Sequence, residues 1–440
     1  MTGGAGAPKM PWVTSEILMN VHPSRAELEE ELHSRPSPLV ETPCTITHIA
    51  VHIGQEERAA EHGHLSALCA RFKIEPPPEG ASCLYQTFDD FELRWERHTE
   101  FSTYTFIRRV LGDPLRQPGA LSHIPGDWLA EMPGRVTTAL HLAFSCAEGT
   151  LDSSELDRYF EKQPLRGGVV RQGTAYLYSS FRLHSDGFGR IVLQARDLTP
   201  LQAGRLVQRV LEVETYRLMA LLALPVARRI TPEVTAMEGE LARINQELAH
   251  PESATDQQAL LDELSGLAAR VERYRSDTTY RFAATNAYYN LVNERIQELG
   301  EEKIPGLQPV KVFIDRRLGP GIRTCNAVHG RLEGLSSRIA HTSDLLRTRV
   351  ELAIQGQNRE LLRSMNRRSE VQLRLQQAVE GLSVVAITYY LMGLLGYLYE
   401  GLAWSGLPLD KKIGFAVAVP VVMLLVWSVI HGVKRRVHRE

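Results

Sequence analysis

The sequence has few cysteines and no close pair among them. The five are Cys44, Cys69, Cys83, Cys146 and Cys325, an odd number scattered over most of the chain. Zinc and redox motifs place two cysteines within a few residues of each other, so neither kind of site is expected. We expect reduced thiols in a cytosolic domain.

A surplus of charge of either sign is also missing. The 440 residues include 50 Lys and Arg against 52 Asp and Glu, a formal net charge of -2. Proteins that bind nucleic acid usually carry a basic patch, and single-strand binders add interleaved aromatic side chains. The sequence shows neither, so we expect no nucleic-acid partner.

Catalytic and cofactor motifs are absent as well. No G-x-G-x-x-G, P-loop, nucleophile elbow or zinc-protease motif occurs in the sequence. The pattern places His48 and His52 on one strand face and His62 and His64 in a helix, which is too irregular for a metal site. We therefore expect no catalytic residues, no cofactor, no metal site and no enzymatic activity.

What the sequence does have is two long apolar stretches near its C-terminus, residues 381–400 and 413–433. About 20 apolar residues in a helix cross the ~30 Å hydrocarbon layer of a bilayer. Each stretch should be helical, because lipid offers no partner for backbone amides. The short connector of residues 401–412 predicts a two-helix transmembrane hairpin with both ends on one side.

Basic residues indicate which side that is. They flank the hairpin as Arg359, Arg363, Arg367, Arg368 and Arg374 before it, and as Lys434, Arg435, Arg436 and Arg439 after it. Such residues are retained in the cytoplasm, so both termini should be cytoplasmic. Lys411 and Lys412 in the connector weaken this bias without reversing it. Residues 1–11 do not resemble a signal peptide, so everything before Gly381 is expected to be cytosolic.

The chain divides into five predicted regions. Residues 1–40 form a partly disordered N-terminal segment, and residues 41–198 form a cytosolic α+β domain. Residues 199–380 form long antiparallel and stalk helices with coiled-coil character, residues 381–433 the transmembrane hairpin, and residues 434–440 a basic cytosolic tail. The lipid bilayer is thus one expected partner.

Alternating apolar and polar residues predict the strands of the α+β domain. Strands are expected at 44–53, at 83–109 as a hairpin broken near Asp89-Asp90, and at 138–145, 174–184 and 190–195, with a helix over 56–72. The turn Ser185-Asp186-Gly187 joins the last two strands as a hairpin.

Helix signals dominate the second half. Thr199-Pro200-Leu201-Gln202 is a typical N-terminus, and Thr231-Pro232-Glu233 predicts the start of the next helix. A long helix is predicted over residues 253–300. The last one begins near Pro320 and continues into the first apolar stretch. A helix of this length is stable only when it packs against others, so we expect self-association into a homo-oligomer.

One seam of this last helix is small or polar where lipid-facing residues should be apolar. Within the apolar stretch it consists of Ser383, Ala386, Tyr390, Gly393, Tyr397 and Glu400. Towards the cytosol it continues as Gln355, Asn358, Leu362, Met365, Ser369, Gln372 and Gln376. Small residues allow close helix approach, so the seam predicts a helix interface within the hairpin or an oligomer. The alternative is a symmetric assembly whose first spans surround a hydrated path.

Glu400 has two interpretations of its own. In a symmetric oligomer it would form a ring that attracts cations. Alternatively it ends the helix and pairs with Lys411 or Lys412.

A second polar pattern lies in the α+β domain. Glu92, Arg94, Glu96, His98 and Glu100 alternate with apolar neighbours. This predicts a strand with one solvated face. The alternative is an acidic patch that binds a cation or a partner protein.

Four segments resemble a known family. They are Glu31-Leu32-His33-Ser34-Arg35-Pro36, residues 91–101 (FELRWERHTEF), residues 214–225 (ETYRLMALLALP) and residues 379–390 (VEGLSVVAITYY). The sequence resembles bacterial membrane-anchored proteins of domain-of-unknown-function family 3422 over nearly its whole length. The resemblance implies a multi-pass protein of the bacterial inner membrane and implies no activity.

The architecture is more distantly similar to that of CorA-type divalent-cation transporters. These also join a cytosolic α/β domain to a stalk helix that runs into the first of two C-terminal spans. Their Gly-Met-Asn triplet is missing here, where Tyr397-Leu398-Tyr399-Glu400-Gly401 stands. Two hypotheses follow: a homo-oligomeric cation channel or transporter, or a membrane-tethered scaffold or sensor that binds a cytosolic partner.

Overall fold

The structure is a computed structural model that describes residues 22–25, 28–29, 37–54, 56–147, 151–249, 254–403 and 411–437. Most of the N-terminal segment predicted to be partly disordered lies outside these ranges. So do residues 404–410 of the predicted connector. The chain divides into two compact units, Met1–Arg243 with Gly266–Ala340, and Ile244–Ser265 with His341–Glu440.

The first unit is built on one mixed sheet. Its nine strands are β1 (Cys44–His52), β2 (Cys83–Thr87), β3 (Glu92–Arg97), β4 (Phe101–Arg109), β5 (Arg135–Ser145), β6 (Arg166–Val170), β7 (Ala175–Ser179), β8 (Gly189–Ala195) and β9 (Glu302–Lys303). Their order in the sheet is β2-β3-β4-β1-β5-β8-β7-β6-β9. Strands β5 and β8 pair in parallel, whereas β1 pairs antiparallel with β4 and β5.

Eight helices accompany the sheet in the described part of the chain. They are α1 (Arg58–Arg71), α2 (Gly126–Ala130), α3 (Ser153–Tyr159), α4 (Pro200–Leu221), α5 (Ala223–Ala249), α6 (Ala254–Leu299), α7 (Val310–Ala403) and α8 (Lys411–Val437). The predicted α+β class with long helices is therefore confirmed.

The sheet is covered on both faces. On one face, α1 and Trp128 of α2 pack against Leu93, Trp95 and Tyr104 of the sheet. On the other face, apolar residues of α4, α6 and α7 pack against β1, β5, β7 and β8. Burial on both faces gives the first unit two apolar layers with the sheet between them.

Helix α4 begins as the sequence predicts. The Thr199 hydroxyl accepts a hydrogen bond from Gln202 N at 3.3 Å, and Gln202 Oε1 accepts one from Thr199 N at 3.1 Å. Gly204 is required one turn later, because a Cβ there would lie 1.7 Å from the carbonyl oxygen of Pro38. The segment around Pro38 therefore runs directly against the first turns of α4.

Two predicted helix starts are wrong. Helix α5 passes through Pro232 rather than beginning there, and α7 begins at Val310 and passes through Pro320. A proline inside a helix removes one backbone hydrogen bond, but packing can hold the helix together. Here Val234 and Ile322, close to the two prolines, are buried.

The strand predictions need two corrections. The region 83–109 contains three strands and two turns rather than one hairpin. Strand β6 was not predicted, since its Gly167-Gly168 pair lacks the apolar alternation of a strand. The two-residue strand β9 also lies outside the predicted strands, whereas β1, β5, β7, β8 and α1 overlap their predicted segments. The five cysteines are all free thiols.

Among the described helices, one is long and apolar enough to cross a membrane. It is α7, over Val310–Gly401, and 11% of its most apolar window is buried. The apolar part of α8, Ala416–Gly432, is shorter than a full span. The two-helix transmembrane hairpin therefore stays a prediction.

Candidate functional sites

The predicted seam of α7 lies on a side of the helix that is left uncovered. Ala386, Tyr390, Gly393, Tyr397 and Glu400 are exposed, and Ser383 is half-buried. An open groove of about 610 Å³ runs along this side and ends beside Glu400. Four of the six seam residues, Tyr390, Gly393, Tyr397 and Glu400, line this groove.

The buried side of α7 in the same stretch carries other residues. Val384 and Thr388 are its buried positions, and the Thr388 hydroxyl donates to Val384 O at 2.7 Å. The predicted seam is therefore accessible to a second copy of the chain. Its interpretations as an interface or as a hydrated path both stay predictions. The side chains of Lys411 and Lys412, the expected partners of Glu400, lie outside the described residues.

Helix α7 is also exposed before the apolar stretch. The turns of α7 around residues 342–349 are hydrogen-bonded to α5. Thr342 Oγ1 donates to Asn245 Oδ1 at 3.1 Å, and Arg349 Nη1 donates to Leu248 O at 2.7 Å. From Glu351 to Val379 almost every side chain is exposed around the whole circumference.

The polar face of β3 is not solvated, so that prediction is wrong. Arg94 is only 6% exposed and Glu100 6%. The Glu96 side chain is 15% exposed and accepts a hydrogen bond from Arg94 Nη2 at 2.8 Å. Helix α4 lies across this face, and a local sequence pattern cannot show such cover.

A cavity of about 170 Å³, which we call the α4 cavity, lies between this sheet face and α4. Its walls are Pro38, His48, Arg94, Glu96, His98, Phe101, Thr103, Thr105, Ile107, Val207, Gln208, Leu211, Glu212, Thr215 and Tyr216. Sequence reasoning missed this site, because its residues come from the Pro38 segment, three strands and a helix. The only sequence signal was the charged alternation in β3.

His48 sits in the wall of the α4 cavity with both ring nitrogens engaged. The Thr215 hydroxyl uses its proton on Leu211 O, at 2.9 Å, so it must accept from His48 Nε2, also at 2.9 Å. His48 Nδ1 then accepts from the Thr105 hydroxyl at 2.8 Å. In the neutral imidazole these contacts place the ring proton on Nε2.

Burial holds the pKa of His48 at about 4, below its ordinary 6.5, with Glu96 opposing and His98 reinforcing the shift. Below pH 6.5 the unfolded chain takes up a proton that the folded chain refuses until about pH 4. The free energy of unfolding should therefore decrease as the pH is lowered through this window, by about 2 kcal/mol from pH 7 to pH 5.

Thermal unfolding of the detergent-solubilised protein at pH 7 and pH 5 measures this loss. His48→Gln keeps one donor and one acceptor but does not titrate, so its acid sensitivity should be smaller by that amount. The pKa of His64 is also lowered by burial, but His64 is common to both proteins and cancels in the comparison. Equal acid sensitivity of the two proteins would contradict the assignment.

A serine, a histidine and a glutamate lie in a row elsewhere in the first unit. Ser180 Oγ and His184 Nε2 are 2.9 Å apart, and His184 Nδ1 is 3.5 Å from Glu161 Oε2. The three residues share with a catalytic triad only the order of their contacts, serine to histidine to carboxylate. Ser180 is 3% exposed and Glu161 is held by Ser185, so the contacts brace the loop between β7 and β8.

The histidines named in the sequence analysis do not come together in the structure. His62 bonds to Pro77 O, at 2.9 Å, and His64 stacks on Trp128. Across the described ranges, no group of three or more His, Cys, Asp and Glu side chains is placed to hold a metal ion.

Comparison with known proteins identifies a family. The model described as "Protein of unknown function (DUF3422)" matches residues 20–437. No curated protein matches the chain. Among solved structures, one described as the structure of the full-length CmaX protein is 12% identical and covers 68% of this chain and 94% of its own, with a TM-score of 0.17. A similarity this weak carries no argument about fold or function, and the comparisons give the CorA resemblance no support.

Proposed function

The chain belongs to the DUF3422 family of proteins of unknown function, and we propose that it is a non-enzymatic, membrane-anchored protein that self-associates along α7. In this proposal the hairpin of residues 381–433 lies in the bacterial inner membrane with both termini in the cytoplasm. The first unit, in the cytosol, then acts as a sensor or scaffold.

The anchor rests on α7 and the charges around it. Its apolar part is long enough to span the hydrocarbon layer, and only 11% of that window is buried within the chain. Exposed apolar surface of this extent is unusual on a monomer in water. The arginines before residue 381 and the basic residues after 433 favour the cytoplasmic side for both ends.

Self-association rests on one observation, the exposure of large apolar side chains on the stalk part of α7. Ile354, Leu361, Met365 and Val379 are 51%, 59%, 57% and 57% exposed. Their spacings of 7, 4 and 14 residues place them on one helix face. Isolated helices gain little stability without packing, so this face is expected to be covered by the same face of a second copy.

Leu361→Asp should break the assembly. A carboxylate in each copy would be buried in the apolar contact, which costs several kcal/mol per interface. We expect the detergent-solubilised protein to be an oligomer and Leu361→Asp to shift towards the monomer by at least ~tenfold in dissociation constant. Light scattering coupled to size exclusion measures both masses.

Val371→Asp is the matched control. Val371 is 62% exposed on another face of the same helix, so the same change should leave the mass unaltered. A monomeric wild-type protein, or equal loss of mass in both variants, would refute the proposed self-association. Release of the intact chain from membranes by a carbonate wash would refute the anchor.

A further inference from the structure

The α4 cavity combines an apolar wall with buried charge, which is typical of small-molecule sites. The apolar wall consists of Pro38, Phe101, Ile107, Val207, Leu211 and Tyr216. The polar wall includes His48, Arg94, Thr103 and Thr105, each at most 6% exposed.

Most polar groups of this wall are already satisfied by the protein. His48 is held between Thr105 and Thr215, as described above. Gln208 donates to Glu212 at 2.8 Å, and Glu212 in turn accepts from Arg295. These groups shape the cavity and leave little hydrogen-bonding capacity for a ligand.

Arg94 differs from its neighbours. A guanidinium has five N–H donors, and within the described chain Arg94 gives a single side-chain hydrogen bond, from Nη2 to Glu96 Oε1. Its side chain is only 8% exposed. Arg94 lines the cavity, so a molecule there that carries hydrogen-bond acceptors would receive hydrogen bonds from its remaining N–H groups.

The charges of the wall narrow the class of that molecule. A cation would lie against the Arg94 guanidinium, which disfavours it. Glu96 and Glu212 also line the cavity and repel any anion, but they repel a phosphate dianion about twice as strongly as a carboxylate. A carboxylate has one negative charge, and its two oxygens match the planar guanidinium in a bidentate contact.

Size agrees with this class. The cavity of about 170 Å³ is close to the ~150 Å³ that holds a benzene molecule in an engineered apolar cavity. We propose that the α4 cavity binds a small organic acid whose apolar body packs against α4 and whose carboxylate is held by Arg94. The first unit is then a ligand-binding domain of the membrane-anchored chain.

Benzoate, benzamide and benzylamine are matched probes of this proposal, since they share a ring and differ in the charged group. We expect millimolar benzoate to raise the Tm of the full-length protein in detergent, and the other two to have little effect. Arg94→Gln should weaken benzoate binding by at least ~tenfold, because a charged hydrogen bond is lost. Arg94→Lys keeps the positive charge but lacks the planar guanidinium, so it should bind benzoate with intermediate affinity. Residual binding by this variant would show that weaker binding is not caused by misfolding.

Arg109→Gln is the control variant. Arg109 lies on the neighbouring strand β4, its side chain is 68% exposed, and it pairs with Glu41 outside the cavity. Benzoate should stabilise this variant as it does the wild type. Equal shifts with benzoate and benzamide, no shift with benzoate, or an undiminished shift in both Arg94 variants would overturn the proposal.

Discussion

Glu61→Leu is expected to lower the free energy of unfolding by about 3–5 kcal/mol, because it removes the acceptor from the buried Trp95 and Tyr104 and an ion-pair partner from the partly exposed Arg97. Glu61 lies on α1 and is completely buried. Its carboxylate accepts hydrogen bonds from Trp95 Nε1 at 2.9 Å, Arg97 Nε at 3.1 Å and Tyr104 OH at 3.2 Å. Leucine would fill the space, remove one ion-pair partner of Arg97, and leave the Trp95 and Tyr104 polar hydrogens without their acceptor.

The cost should be large because the three donors belong to the core of the sheet. Trp95 and Tyr104 are among the largest fully buried side chains, and Arg97 lies 4.9 Å over the Trp95 ring. Burial, reinforced by the nearby Glu61 carboxylate, raises the pKa of Tyr104, so its hydroxyl stays protonated and remains a donor. Without Glu61, Trp95 and Tyr104 cannot reach water for a hydrogen bond without disturbing the packing around α1.

Chemical denaturation in detergent, followed by tryptophan fluorescence, measures the loss. Glu61→Gln keeps the volume and part of the acceptor capacity, so its cost should lie between zero and that of leucine. Glu79→Leu is the control, since Glu79 is exposed and its replacement should change stability by less than ~0.5 kcal/mol. A leucine variant as stable as the control would show that the three donors find other partners.

The sequence predicts those parts of the fold whose residues carry a local signal. The alternation in β1 and the Thr199–Gln202 capping box act within a few residues, and both elements form where predicted. Strand β6 gives no such signal. Its Gly167 is needed because a Cβ there would lie 1.9 Å from Leu177 O on the neighbouring strand, a contact that only the folded sheet creates.

Prolines misled the prediction for a related reason. The local rule starts a helix at Pro232 and near Pro320, because the missing backbone N–H of proline is tolerated at the first helical position. Long helices packed on several neighbours tolerate that loss. Local rules therefore place helix ends poorly wherever tertiary packing supports the chain.

The candidate sites divide along the same line. The α7 seam was predictable because its residues follow one helical period. The α4 cavity was not predictable, because Arg94 on β3 lines a cavity only once α4, more than a hundred residues later in the chain, covers that strand face. A strand face with alternating charged residues can therefore be buried when a helix from a distant part of the sequence covers it.

Arg281→Ala is expected to destabilise the first unit by about 3–5 kcal/mol, because it strands the buried Glu100 carboxylate. Arg281 on α6 binds both oxygens of Glu100, each at 2.8 Å, and the Glu100 side chain is 7% exposed. This pair ties the turn between β3 and β4 to a helix 181 positions later in the chain. The nearby Tyr288, whose pKa is raised by burial and then by Glu100, cannot supply the missing charge.

A double-mutant cycle separates the pair from its surroundings. Glu100→Gln combined with Arg281→Met removes both charges, so much of the loss should be recovered, with a coupling energy of about 2–3 kcal/mol. The exposed pair of Arg71 and Asp127, with side chains 42% and 63% exposed, provides the comparison and should show a much weaker coupling, because water screens it. Additive costs at Glu100 and Arg281 would mean that water or Tyr288 already screens the charges. The tie between the turn and α6 would then rest on other contacts, such as the ring packing of Phe101 with Tyr288.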